Sequence, residues 1–267
     1  MHRTPEMHRT PRVPGVGGPP KLFSAATYAA AAGQHYPRHQ HSTWELIYYR
    51  SGHIGCVLES RTVETCPGMV LVIPPHTLHH DQAHSAYSQV YLRLERRPPL
   101  PNWPDVTFDD GERTLGYLFG ALTREWRAPP SPERGELLGL LVRQLDLTLC
   151  RKAHEPPEHA AEWLVREAER LFETHLRDAP TVEVLAAELA VAPSTLRAHF
   201  ARLRGHSPTQ YLQQLRLERA LELIRGSSLN LDEIAGLCGY YSASHLGRNV
   251  KKATGQSPGR FRPTHSG

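Results

Sequence analysis

The chain has 267 residues, with 31 Lys and Arg against 27 Asp and Glu and a formal net charge of +4. At about 100 to 200 residues per domain this length predicts two domains, and no stretch reaches the roughly 18 apolar residues that span a bilayer. The four cysteines, Cys56, Cys66, Cys150 and Cys238, show no Cys-x-x-Cys spacing and read as reduced thiols rather than a disulfide framework.

Residues 1–20 contain a direct repeat, Met1-His2-Arg3-Thr4-Pro5-Glu6 followed by Met7-His8-Arg9-Thr10-Pro11, and then a Pro/Gly tract. Such a composition cannot bury a core, so a disordered arm is expected here. The Ala-rich run Ala25 to Ala32 is interrupted by Thr27 and Tyr28, which argues against a cleaved signal peptide. From Leu22 to about Glu95 the pattern changes to short β-type runs, such as Trp44 to Tyr49 and Met69 to Ile73, between Gly and Pro turns. This predicts an antiparallel barrel or jelly roll over 21–104.

Inside that region lie Gly33-x5-His39-x-His41-x3-Glu45-x6-Gly52 and Gly68-x5-Pro74-x4-His79. Residues two apart in a strand face the same side, so His39 and His41 are expected to point inward, with Glu45 on the same parity and His79 arriving from another strand. Three imidazoles and a carboxylate suit a divalent first-row transition metal with open positions for substrate. The same side chains can instead hydrogen-bond a polar effector in a metal-free pocket, or serve the structure alone, and the sequence leaves these readings open. His76, His80 and Asp81 are candidates for supporting or alternative ligands. Both spacings resemble the cupin motifs; His76 stands where the second motif usually has Gly.

Two amphipathic helices follow, Gly111 to Arg127 and Pro132 to Cys150, within a helical segment expected over 105–152. The Pro/His/Glu stretch Ala153 to His159 reads as an interdomain linker. In the last third, Leu185-Ala186, Leu189-Ala190-Val191, Leu196, Phe200, Gly205-x-Ser207-Pro208 and Tyr211 recur as Ile234-Ala235, Cys238-Gly239-Tyr240, Leu246, Val250, Gly255-x-Ser257-Pro258 and Phe261, offset by 49 and then 50 residues. Each copy reads as helix, turn, helix. From Ala190 to the end there are 11 Lys and Arg against 4 Asp and Glu, the balance a phosphate-contacting module needs.

The tandem units, their Gly-x-Ser-Pro-x-x-aromatic endings and the Arg216-x-x-x-Ala220-x-x-Leu223 helix between them resemble the AraC family of transcription regulators. The resemblance implies an all-α DNA-binding domain over 160–267 in which each unit sends its second helix into a major groove, one DNA turn apart. The first recognition helix then spans Pro193 to Leu203, with Leu196 and Phe200 buried and Ser194, Thr195, Arg197 and Ala198 toward the groove. The second spans Ala243 to Ala253, with Ser242 as its cap and Ser244, His245, Gly247 and Arg248 toward the groove. Arg197 and Arg248 are the base-reading candidates; Arg202, Lys251 and Lys252 are expected to contact phosphate. The chain departs from the pattern at Ala192, where a Ser cap is usual, at Val250, in place of a large aromatic, and at Gly247, inside a helix. Asn230-x-x-Glu233 supplies a capping box for the second unit.

The expected molecule is α+β: a cupin-type barrel with two helices that pair subunits, then tandem helix-turn-helix units. As a function, the resemblance implies a cytoplasmic homodimer that binds double-stranded promoter DNA, responds to a small-molecule effector and recruits RNA polymerase, without a membrane partner. Pro67 to His80 resembles the matching strands of sugar-responsive members, which adds a sugar or related metabolite to the candidate effectors. The rival readings are a metal-dependent cupin enzyme joined to a DNA-binding domain, and a metal sensor. No second catalytic motif supports the enzyme.

Overall fold

The computed structural model describes residues 20–59, 61–95, 102–155 and 159–262. The arm expected over 1–20 lies outside them except for Pro20, as do residues 156–158 of the expected linker. The chain divides into two units, Met1–His159 and Ala160–Gly267.

The first unit is a double-sheet jelly roll with two helices. Its strands are β1 (Lys21–Ala30), β2 (His35–His39), β3 (Trp44–Ser51), β4 (Ile54–Leu58), β5 (Arg61–Glu64), β6 (Met69–Ile73), β7 (His79–Ala83), β8 (Tyr87–Glu95) and β9 (Val106–Phe108). They form a five-stranded sheet, β1-β8-β3-β6-β9, and a four-stranded sheet, β2-β7-β4-β5, with antiparallel pairing throughout. The sheet extends beyond the expected barrel limit at residue 104, because β9 pairs with β6 (Met69↔Phe108) ahead of the two helices expected within 105–152. A three-residue strand is too short to show a period.

Alternation along β3 and β8 sorts side chains between two environments. Trp44, Leu46 and Tyr48, with Val90, Leu92 and Leu94, join a core completed by Leu115, Leu118, Phe119 and Leu122 of α1 (Thr114–Arg127) and Val142, Leu145 and Leu149 of α2 (Arg134–Lys152). Each such side chain stabilises the fold by about 1.5 to 3 kcal/mol relative to exposure. Glu45 and Ile47, with Gln89, Tyr91 and Arg93, face a cavity between the sheets instead.

Helix α1 begins three residues later than its apolar pattern suggests. Asp109 is fully buried and accepts from the backbone N–H of Leu115 and Gly116, at 2.8 and 2.9 Å, and from Tyr48 Oη at 2.9 Å. Asp110 accepts from the N–H of Thr114. These carboxylates satisfy the first-turn donors and tie α1 to β3. At Gly52 (φ 83°) a Cβ would lie 2.3 Å from the carbonyl oxygen of Ala86, so the turn between β3 and β4 requires glycine.

The second unit contains α3 (Ala160–Thr174), α4 (Val182–Glu188), α5 (Pro193–Arg204), α6 (Pro208–Gly226), α7 (Leu231–Leu237), α8 (Ala243–Thr254) and α9 (Pro258–Phe261). The repeated apolar positions are its core: Leu185, Ala186, Leu189, Leu196 and Phe200 in the first copy, Ile234, Ala235, Cys238, Leu246 and Val250 in the second. The turn residue at equivalent positions is Ala190, held left-handed at φ 55°, and Gly239 at φ 71°. The glycine is needed: a Cβ there would lie 2.5 Å from the Arg177 carbonyl oxygen and 2.6 Å from Arg216 Nη2. Arg216 on α6 also donates to the carbonyls of Leu176 and Arg177, at 3.1 and 3.2 Å, and so ties the connecting helix to the loop before α4 and to the turn of the second copy.

Ser207 and Asn230 form capping boxes with Gln210 and Glu233, and Ser242 caps α8 through the N–H of His245. Ala192 gives α5 no side-chain cap. All four cysteines are free thiols. Among the described residues no helix is long and apolar enough to cross a membrane.

Candidate functional site

Between the two sheets lies a partly open cavity of about 150 Å³. At its wall His39, His41, Glu45 and His79 converge, with one ligand atom from each within 4.8 Å of every other. His39 closes β2, Glu45 lies on β3 and His79 opens β7. Strand parity does not place His41, which lies in the turn after β2; a bond between its Nδ1 and the Thr43 carbonyl, 2.8 Å, orients it instead.

All three rings are held the same way. Nδ1 of His39 faces the carbonyl of Pro37 at 2.9 Å, and Nδ1 of His79 that of Thr77 at 2.9 Å. A carbonyl only accepts, so each Nδ1 carries the proton and each Nε2 is left for the centre. Glu45 Oε2 then lies 3.0 Å from Nε2 of His41 and 3.0 Å from Nε2 of His79. With neutral rings these contacts would oppose lone pairs, so a positive charge belongs between them: a proton on each ring, or a metal ion. Two ligand atoms bound at right angles with bonds of about 2.1 Å are separated by about 3.0 Å, so the residues fit a divalent transition metal.

Burial pushes the Glu45 carboxyl upward, but the hydrogen bonds from His41 and His79 outweigh it and hold it at about 2. Burial lowers His79, yet the Glu45 carboxylate turns the balance and raises it; His39, more weakly coupled, is lowered by burial.

The supporting residues divide. His76 is exposed and adopts φ 62°, the left-handed turn a glycine would favour, and its N–H donates to the His41 carbonyl at 2.8 Å. His80, on the opposite parity from His79, contacts Gln82 and not the centre. Asp81 lines the cavity. The sequence reading missed Tyr28, Tyr36, Gln89, Tyr91 and Arg93. The available signal was the alternation of polar Gln89, Tyr91 and Arg93 with Val90, Leu92 and Leu94 on one strand.

In the second unit Leu196 and Phe200 are buried, while Ser194, Arg197 and Arg202 on α5 and Ser244, His245, Arg248, Lys251 and Lys252 on α8 are exposed; Thr195 is half-buried. Arg197 is engaged by Glu183 of α4 through Nη2 and Oε1. Tyr241, just before α8, is 95% exposed and went unnoticed in the sequence.

A helix-turn-helix domain family matches residues 185–264, and an AraC-like ligand binding domain family matches residues 24–179. The arabinose operon regulatory protein of Escherichia coli (strain K12) is 24% identical over 212 residues, covering 73% of this chain and 72% of that one. The HTH-type transcriptional activator RhaR of Escherichia coli (strain K12) is 23% identical over 273 residues, covering 92% and 95%. Among solved structures, the DNA-binding domain of AdpA, a global transcriptional factor in complex with a target DNA, is 32% identical and covers 37% of this chain and 88% of that one, with a TM-score of 0.35. The ligand-binding match alone covers more than half of the sequence, and the chain belongs to the AraC family of DNA-binding transcription regulators, with a ligand-binding domain preceding the helix-turn-helix domain.

Proposed function

We propose that this regulator is a cytoplasmic homodimer that reads promoter DNA with α5 and α8, is controlled by a small effector in the cavity of its first domain, and acts on RNA polymerase. The observation that carries the reading is the convergence of His39, His41, Glu45 and His79 on a cavity in the domain that precedes two DNA-reading helices. Arg197 and Arg248 read bases; Ser194, Thr195, Ser244 and His245 complete the groove surface; Arg202, Lys251 and Lys252 hold phosphates. Effector binding shifts which half-sites the dimer occupies, for which a coupling of about 1 to 3 kcal/mol suffices.

His39, His41, Glu45 and His79 would hold a divalent first-row metal, which would supply Lewis acidity toward the effector. Turnover is not part of the role: the relatives are transcription regulators. On α2, Leu137, Leu140 and Leu147 are exposed at spacings of three and seven, opposite the buried Val142, Leu145 and Leu149. This apolar stripe supports pairing of two subunits through α2.

The test is elemental analysis of the untagged full chain beside His41→Ala, together with its affinity for a duplex selected from a random pool, measured before and after chelation. Near-stoichiometric metal that is lost in the variant, with DNA affinity changed by chelation, supports the reading. No metal in either protein removes the metal from it, and failure to select any duplex removes the regulator.

A further inference from the structure

We infer that the effector is a small hydroxy carboxylate, held by Arg93 through its carboxylate and by Gln89 through a hydroxyl. This rests on the proposed effector role of the cavity and names the chemistry of its occupant.

The first observation is an unneutralised guanidinium. Arg93 lines the cavity directly across the sheet from Glu45. Glu45 commits its Oε2 to His41 and His79, and among the described residues no carboxylate pairs with Arg93. Arg93 Nε donates to Thr43 Oγ1 at 3.1 Å and its guanidinium lies over the Phe23 ring, 5.6 Å from the centroid, which holds the plane while its terminal amino groups have no carboxylate partner among the described residues. A planar fork so placed matches a carboxylate, which takes two parallel N–H bonds.

Among the described residues Arg93 is the one arginine that lines the cavity, and a carboxylate ligand neutralises it where a neutral sugar or an amine does not.

The third observation is an orphaned acceptor. Gln89 Oε1 is buried without a hydrogen-bond partner, in a residue only 5% exposed that lines the same cavity, whereas the neighbouring Asp81 is held by Cys56, Gln89 and Tyr87. Such an atom calls for a donor from the occupant. A hydroxyl supplies it without setting a second cation beside Arg93. The volume of about 150 Å³ accommodates a small metabolite.

The experiment is thermal shift and calorimetric titration of the full chain, as purified, with glycerate, gluconate and galacturonate beside glycerol, glucose and galactose, and with propionate as a carboxylate lacking hydroxyls. At least one hydroxy acid is expected to raise the unfolding midpoint and to bind at least about tenfold more tightly than its neutral counterpart and than propionate. Arg93→Met should abolish the preference for the acid, and Arg93→Lys, which keeps the charge but loses the fork, should restore only part of it. Gln89→Leu should abolish the preference over propionate. The ligand-free midpoint of each variant separates loss of binding from loss of fold. Neutral compounds binding as tightly as the acids, Arg93→Met retaining the preference, or no acid binding at all would each overturn the inference. If an acid binds a protein free of metal, the metal fails and this inference stands. If DNA is selected but no compound binds, this inference fails and the regulator stands.

Discussion

Glu45 and Arg93 are direct cross-strand partners on β3 and β8, yet they form no ion pair: the carboxylate turns to His41 and His79, 3.0 Å from each Nε2. An acid and a base in that register would ordinarily neutralise each other. Here the acid belongs to a three-imidazole centre, and the base stays available to the cavity.

Glu45→Gln should therefore strip the centre of its only charged donor. The metal content of the purified protein is expected to fall from near one per chain to below ~0.1, read by elemental analysis. Retention of wild-type metal would remove Glu45 from the ligand set.

Asp109→Ala should destabilise the first unit by about 3 kcal/mol, because Tyr48 Oη and the N–H groups of Leu115 and Gly116 would lose their acceptor in the interior. Urea unfolding should show a lower midpoint with an unchanged slope. A loss below about 1 kcal/mol would mean that water replaces the carboxylate.

Ala190→Gly should stabilise the second unit by about 0.5 to 1 kcal/mol, since alanine is held at φ 55° where its repeat partner Gly239 sits at φ 71°. The reverse change, Gly239→Ala, meets the Arg177 carbonyl at 2.5 Å and should destabilise. Unfolding midpoints moving in the same direction for both variants would contradict this account of the turn.

Three of the four donors were legible in the sequence through strand parity, a local property, whereas His41 reaches the centre from the loop after β2, oriented by the Thr43 carbonyl. His39, Glu45 and His79 follow from the strands they occupy, and the repeated Leu196/Leu246 and Phe200/Val250 positions announced the two helix-turn-helix cores. What stayed hidden depends on contacts between distant segments. Gln89, Tyr91 and Arg93 alternate with apolar residues just as a solvent-facing row would, and only the four-stranded sheet turns that face inward. Asp109 preceded the expected helix, so its grip on the first turn of α1 fell outside the apolar period. The Glu183–Arg197 pair joins residues 14 apart on different helices, beyond any helical repeat.

Leu140→Glu should place a charge in the exposed leucine stripe of α2. Sedimentation is expected to show a monomer with an unchanged thermal midpoint for each unit, because Leu140 is 61% exposed and outside the core. A dimer as stable as the wild type would place the subunit contact elsewhere.

The most direct measurement is the affinity of the full chain for a duplex selected from a random pool, compared with the same duplex carrying five extra base pairs between the two segments that α5 and α8 are proposed to read. Helix α6, whose Arg216 donates to the Leu176 and Arg177 carbonyls, joins the two helix-turn-helix units. Half a turn of inserted DNA moves one groove to the opposite side of the duplex. The account predicts a loss of at least about tenfold, together with loss of base preference on one side of the insertion. Equal affinity for both duplexes would contradict it, because one helix-turn-helix unit alone would then account for binding.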